Sequence, residues 1–111
     1  MSDTVKQEDL VNVAMQIILH AGDSRVKITE ALKYAKKFDF ANAGKAMDEA
    51  EKEIVLAHKA QTDVIQAEAD GEKYEYSLLF NHAQDTLMTI NSEVRMAKEL
   101  IAILRIISEK R

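Results

Sequence analysis

The chain of 111 residues has no cysteine, no proline and no tryptophan, and only three glycines, Gly22, Gly44 and Gly71. Without cysteine there are no disulfides, no thiolate zinc sites and no cysteine nucleophile, which suits a reducing compartment. Without proline and with so little glycine, the regular turn residues of an all-β domain are missing, so neither sandwich nor barrel is expected. Three tyrosines and three phenylalanines are all the aromatic rings present, too few and too scattered for a base-stacking platform. The apolar runs are short, as at Ile101–Leu104, whereas a transmembrane helix needs ~20 residues. Met1-Ser2-Asp3-Thr4 lacks the basic start and apolar stretch of a signal peptide, which predicts a cytoplasmic protein. Fifteen Lys and Arg against nineteen Asp and Glu give a formal charge of −4 with no basic cluster, so no nucleic-acid partner is expected.

What is present, 47% apolar and 31% charged residues, is the balance of one globular domain over residues 1–111. Three helical segments follow from the apolar spacing. The first, from about Gln7 to Lys37, places Leu10, Ala14, Ile17, Ala21, Ile28, Leu32 and Ala35 on one side. Gly22-Asp23-Ser24 lowers its helix propensity, by ~1 kcal/mol for the glycine relative to alanine, and predicts a kink or a short break. The second opens at Asp39, a candidate N-cap, and alternates spacings of four and three through Ala43, Met47, Ala50, Ile54, Ala57, Gln61, Val64 and Glu68. Ala69-Asp70-Gly71-Glu72-Lys73 ends it as a loop.

The third segment, from about Tyr76 to Glu109, carries two stripes. Leu79, Phe80, Ala83, Leu87, Ile90, Val94, Ala97 and Ile101 close the core of an antiparallel three-helix bundle. Roughly opposite lie Leu78, His82, Asp85, Thr89, Ser92, Met96, Leu100, Ile103 and Ile107, polar in the middle and apolar toward the C-terminus. A small bundle has no second interior, so this stripe is expected to meet another subunit; a helix wholly central in its own fold is the alternative.

Among residues able to do chemistry, His20, His58 and His82 belong to no HExxH motif, and no G-x-S-x-G, G-x-x-x-x-G-K-[ST] or G-x-G-x-x-G occurs. A metal-dependent hydrolase built on Asp85 lacks enough ligands in one chain. His82 and Asp85, three residues apart, project from one helix face, and spacing alone reads more readily as an exposed polar contact than as a site. Gln61 sits within the seam of the second helix with His58 beside it, either as a hydrogen-bonded core polar residue or as a ligand contact.

Asn81-His82-Ala83-Gln84-Asp85-Thr86-Leu87-Met88-Thr89, with Ala57-His58-Lys59-Ala60-Gln61-Thr62, Ala21-Gly22-Asp23-Ser24-Arg25, Phe38-Asp39-Phe40-Ala41 and Ala69-Asp70-Gly71-Glu72, resembles the IIA component of the lactose/cellobiose (lactose/N,N'-diacetylchitobiose) family of the bacterial phosphoenolpyruvate-dependent sugar phosphotransferase system. The resemblance runs from about Glu8 to Glu109, and its histidine string is the specific part. It implies a homotrimeric helical bundle acting as a phosphohistidine carrier. His82 is then the residue that accepts phosphate from phospho-HPr and passes it to a cysteine of the IIB component, for import of a β-glucoside or β-galactoside disaccharide through the membrane IIC permease. Asp85 is implied to face the trimer axis and hold one Mg2+ per trimer. Gln61, Gln84 and His58 are the candidate supports of the phosphate. The family commonly has a second histidine where this chain has Thr86. The competing reading is a helical oligomerisation or adaptor protein in which His82 and Asp85 are incidental polar residues of an interface.

Overall fold

The computed structural model describes the backbone of residues 2–110 and the side chains of residues 8–110. Three α-helices follow in order, α1 (Ser2–Lys36), α2 (Phe40–Ala69) and α3 (Leu78–Glu109), in a bundle 65 × 20 × 19 Å. Cross-helix pairs set the directions. His20 meets Glu53 and Lys27 meets Glu49, so α1 and α2 are antiparallel. Gln61 meets Gln84 and Glu51 meets Lys98, so α2 and α3 are antiparallel as well.

Local chemistry ends each helix where the next must turn. Both α1 and α2 close with paired bonds from the two residues beyond the cap back into the last turn, the arrangement that satisfies terminal carbonyls and requires one left-handed residue. At the end of α2 that residue is Gly71, φ 106°, with Gly71 N–H donating to Glu68 O and Glu72 N–H to Ala67 O. At the end of α1 it is Phe38, φ 62°, with Phe38 N–H donating to Ala35 O and Asp39 N–H to Tyr34 O. A side chain in that region is strained; the Phe38 ring stacks on Phe40, 6.0 Å between centroids, and the Arg105 guanidinium lies 5.0 Å from the Phe40 centroid. Asp39 then caps α2 by accepting from Asn42 N–H. The Asn42 side chain also donates to its carboxyl, and the two bonds hold the Asp39 carboxyl below the usual carboxylate range. Ser77 caps α3 by accepting from Phe80 N–H.

The core is the set of seams read from spacing. Leu10, Ala14, Ile17, Ala21, Ile28 and Ala31 from α1, Ala46, Met47, Ala50, Ile54, Ala57 and Val64 from α2, and Phe80, Ala83, Leu87, Ile90, Val94 and Ala97 from α3 form one buried cluster, with Leu32, Leu79 and Ile101 packed at its edge. Alanine is frequent in it, which lets the helices approach closely. Glu68, the last residue of the predicted α2 seam, is exposed.

The break allowed for at Gly22-Asp23-Ser24 does not occur: α1 is one continuous helix through all three residues. Tertiary contacts outweigh the low propensity there. Ala21 and Ser24 are fully buried against α2, and the Ser24 hydroxyl donates to the Ala50 carbonyl at 2.8 Å. Gly22 faces outward, where its missing side chain costs no packing.

Leu87 is among the largest fully buried side chains. Leu87→Ala is expected to lower the unfolding free energy by about 2–5 kcal/mol, through lost burial and the cavity left behind. Urea unfolding at one fixed protein concentration checks this; a loss within ~0.5 kcal/mol, as at an ordinary surface position, would contradict the placement of the core.

Candidate phosphate-bearing face of the third helix

On both sides α3 is held by its neighbours. Toward α1, Glu93 receives two bonds from Arg25, Nε to Oε1 at 2.9 Å and Nη2 to Oε2 at 2.8 Å. That carboxylate raises the Arg25 pKa above its ordinary value. Toward α2, Lys98 pairs with Glu51, and the Gln61 side-chain amide donates to Gln84 Oε1 at 3.0 Å. The remaining direction is open. Leu78, His82, Asp85, Thr89, Ser92, Met96, Leu100, Ile103 and Ile107, the predicted second stripe, are all exposed in the single chain. Met96 and Ile103 keep 61% and 50% of their surface in solvent, an unusual amount for large aliphatic side chains aligned on one face.

His82 stands at the N-terminal end of that face, in the second turn of α3. Helical Cα–Cβ bonds tilt toward the N-terminus, so the side chain leaves the backbone on the side of the positive end of the helix dipole. An anion attached to the ring is stabilised there. Thr86, one turn later, donates its hydroxyl proton to the His82 backbone carbonyl at 2.8 Å. Asp85 lies on the same open face, and among the described residues no three His, Cys, Asp or Glu side chains gather as a metal-binding group.

The three candidate supporting residues are placed differently. Gln84 is two positions from His82, about 200° around the helix, and turns toward α2, where it bonds to the buried Gln61. Within one chain that amide pair is therefore on the other side of α3 from the His82 ring. His58 is exposed on α2, its Nδ1 3.5 Å from the Thr62 hydroxyl. It lines an open depression of about 550 Å³ with Ile54, Val55, Lys59, Thr62 and Asn91. His20, in contrast, bridges α1 to α2 through Glu53 at 2.7 Å and has a structural role. Sequence reasoning did not find Ser24 or the contact of Thr86 with His82; a serine next to a glycine reads as a weak point, and a threonine inside a motif gives no sign of its partner.

Known proteins match this arrangement over nearly its whole length. The family model described as "PTS system, Lactose/Cellobiose specific IIA subunit" matches residues 12–105. The lichenan-specific phosphotransferase enzyme IIA component of Bacillus subtilis is 42% identical over 104 residues, covering 94% of each protein. Among solved structures, the cellobiose-specific enzyme IIA from Bacillus anthracis superposes with a TM-score of 0.86 at 40% identity, over 90% of this chain and 92% of that one. A IIA(Chitobiose)–HPr complex of the N,N'-diacetylchitobiose branch of the Escherichia coli phosphotransferase system gives a TM-score of 0.77 at 34% identity, over 89% of this chain and 96% of that one.

Proposed function

Because the chain belongs to the lactose/cellobiose-specific IIA family of the sugar phosphotransferase system, we propose that His82 is its phosphate carrier, accepting a phosphoryl group from phospho-HPr and passing it to a cysteine of the IIB component. The observation that carries the reading is the position of His82: an exposed imidazole within the family string, on the free face of α3 in the second turn of that helix. A neutral imidazole is a good nucleophile near neutral pH, and its bond to phosphorus is labile, so the group moves on readily. The protein's task is then positioning and charge stabilisation. The structure of a IIA–HPr complex in the chitobiose branch supports HPr as the donor. The sugar imported is a β-glucoside or β-galactoside disaccharide. The work is cytoplasmic, with contact to the membrane only through the IIC permease; among the described residues no helix is long and apolar enough to cross a membrane.

The active form is a homotrimer of single-domain chains, each contributing α3 to the centre. Supporting this, the open stripe ends in Met96, Leu100, Ile103 and Ile107, all exposed in one chain, and each regains on burial about half of the ~1.5–3 kcal/mol that burying a wholly exposed side chain of this kind is worth. In a ring of copies about α3, the α1 side of one chain faces the α2 side of the next. Gln84 and His58, turned away from their own His82, then serve the phosphate on a neighbouring chain's His82, and the buried Gln61 supports that site by holding Gln84.

One chain supplies only a single carboxylate, Asp85, to the open face in this stretch, so Mg2+ fits only where three copies meet. Three Asp85 carboxylates at an axis provide the hard oxygen donors that Mg2+ prefers, and the ion neutralises their repulsion. It holds the assembly together; His82 accepts phosphate without it.

Incubation with phosphoenolpyruvate, enzyme I and HPr, followed by intact mass measurement, tests the site. The wild type is expected to gain one acid-labile phosphate and His82→Ala none, with helical content unchanged. Uptake lost in His58→Ala but kept in His82→Ala would overturn the assignment. The axial ion is tested by thermal melting with and without EDTA. Chelation is expected to destabilise the wild type and leave Asp85→Leu unaffected, whereas equal sensitivity in the two would contradict a metal at Asp85.

A further inference from the structure

We propose that Thr86 is a positioning residue for His82: its hydroxyl oxygen accepts the Nδ1–H of the imidazole, so that Nε2 carries the free electron pair. This rests on the reading of His82 as the phosphate carrier. The Thr86 hydroxyl has one proton, and that proton is committed to the His82 carbonyl at 2.8 Å. Its oxygen lone pairs remain, so toward a ring nitrogen that approaches it the group is an acceptor of fixed position and not a donor. The second helix shows what this spacing allows. His58 and Thr62 are also four residues apart, and there the threonine hydroxyl lies 3.5 Å from the histidine Nδ1. Side chains four apart on a helix are neighbours, about 5–6 Å between Cβ atoms. In the single chain Thr86 meets the His82 backbone and not its ring; as proposed, rotation of the exposed ring about its side-chain torsions places Nδ1 on the Thr86 oxygen.

The consequence is chemical. A neutral imidazole in water prefers its proton on Nε2, the nitrogen farther from the backbone and the one open to an incoming group. Left alone, the accessible nitrogen is mostly the wrong tautomer for attack. The hydrogen bond made by one ring nitrogen sets the state of the other. With Nδ1–H held by Thr86, the Nε2 pair forms the bond to phosphorus as the bond from phosphorus to the donor's nitrogen breaks. The proton stays on Nδ1, the ring becomes cationic, and Thr86 continues to accept from it. Passing the group on reverses this: a thiolate sulfur bonds to phosphorus and the electron pair returns to Nε2. Thr86 does this without titrating, whereas an imidazole at that position changes charge in the working pH range.

The test is the ring state itself, read by long-range proton–nitrogen correlation spectra of the unphosphorylated protein at about pH 8, above the ordinary histidine pKa of about 6.5. The three histidines are assigned by single substitution. The wild type is expected to show His82 mainly as the Nδ1–H tautomer, Thr86→Val to shift it toward Nε2–H, and Thr86→Ser to restore it. Single-turnover phosphate uptake from phospho-HPr is expected to slow roughly two- to tenfold in Thr86→Val, the span of one net hydrogen bond, and to recover in Thr86→Ser. A His82 ring with the same tautomer in wild type and Thr86→Val overturns the proposal, as does slowing that serine fails to rescue. Failure of the underlying reading looks different: His82→Ala would still take up phosphate.

Discussion

A bundle of three helices can enclose only one face of each, and α3 has two faces that need partners. The inner one, from Phe80 to Ala97, is buried between α1 and α2. The outer one, from Leu78 to Ile107, is left in solvent by the single chain. Arg25–Glu93 on one flank and Lys98–Glu51 with Gln61–Gln84 on the other fix the rotation of α3. Rotating α3 to hide Met96 and Leu100 would bring Leu87 and Ile90 out, so the exposure of the outer stripe is a consequence of the core.

The same constraint arranges the chemistry. A histidine that must receive and release a phosphoryl group has to be reachable by two different proteins, and the outer face at the start of α3 is the part of the helix that its own chain leaves open. The apolar C-terminal half of the stripe and the polar N-terminal half thus divide the work. Met96, Leu100, Ile103 and Ile107 offer apolar surface to another copy, and His82 lies where, on the proposed function, the phosphoryl group is handled. On the same proposal a phosphate on His82 would sit near the helix N-terminus, where the dipole favours an anion.

Much of this was legible in the residues. The four-three alternation in α2 gave the buried seam through Val64 and failed only at Glu68, which is exposed in the last turn of the helix. Asp39 as a cap followed from its type and position. Other features depend on contacts that no local pattern records. Ser24 looked like part of a helix-weakening cluster because its partner, the Ala50 carbonyl, belongs to another helix. Phe38 takes the left-handed position that glycine usually fills, and only its stacking against Phe40 and the closeness of Arg105 to that ring give it partners there. Of the candidate site, the place of His82 on the outer stripe of α3 was readable from the spacing. That Gln61 and Gln84 bond to each other on the far side of α3 follows from helix geometry together with the placement of α2.

The central claim is that one face of α3 both assembles the protein and makes the phosphate site complete, and Leu100→Glu tests it most directly. Leu100 lies on the outer stripe away from His82 and is not part of the chain's own buried cluster. Sedimentation equilibrium, paired with phosphate uptake from phospho-HPr on the same samples, is the measurement. The account predicts three times the chain mass for the wild type, and for Leu100→Glu a helical monomer with greatly slowed uptake. A monomeric wild type, or a monomeric Leu100→Glu that takes up phosphate at the wild-type rate, would contradict it.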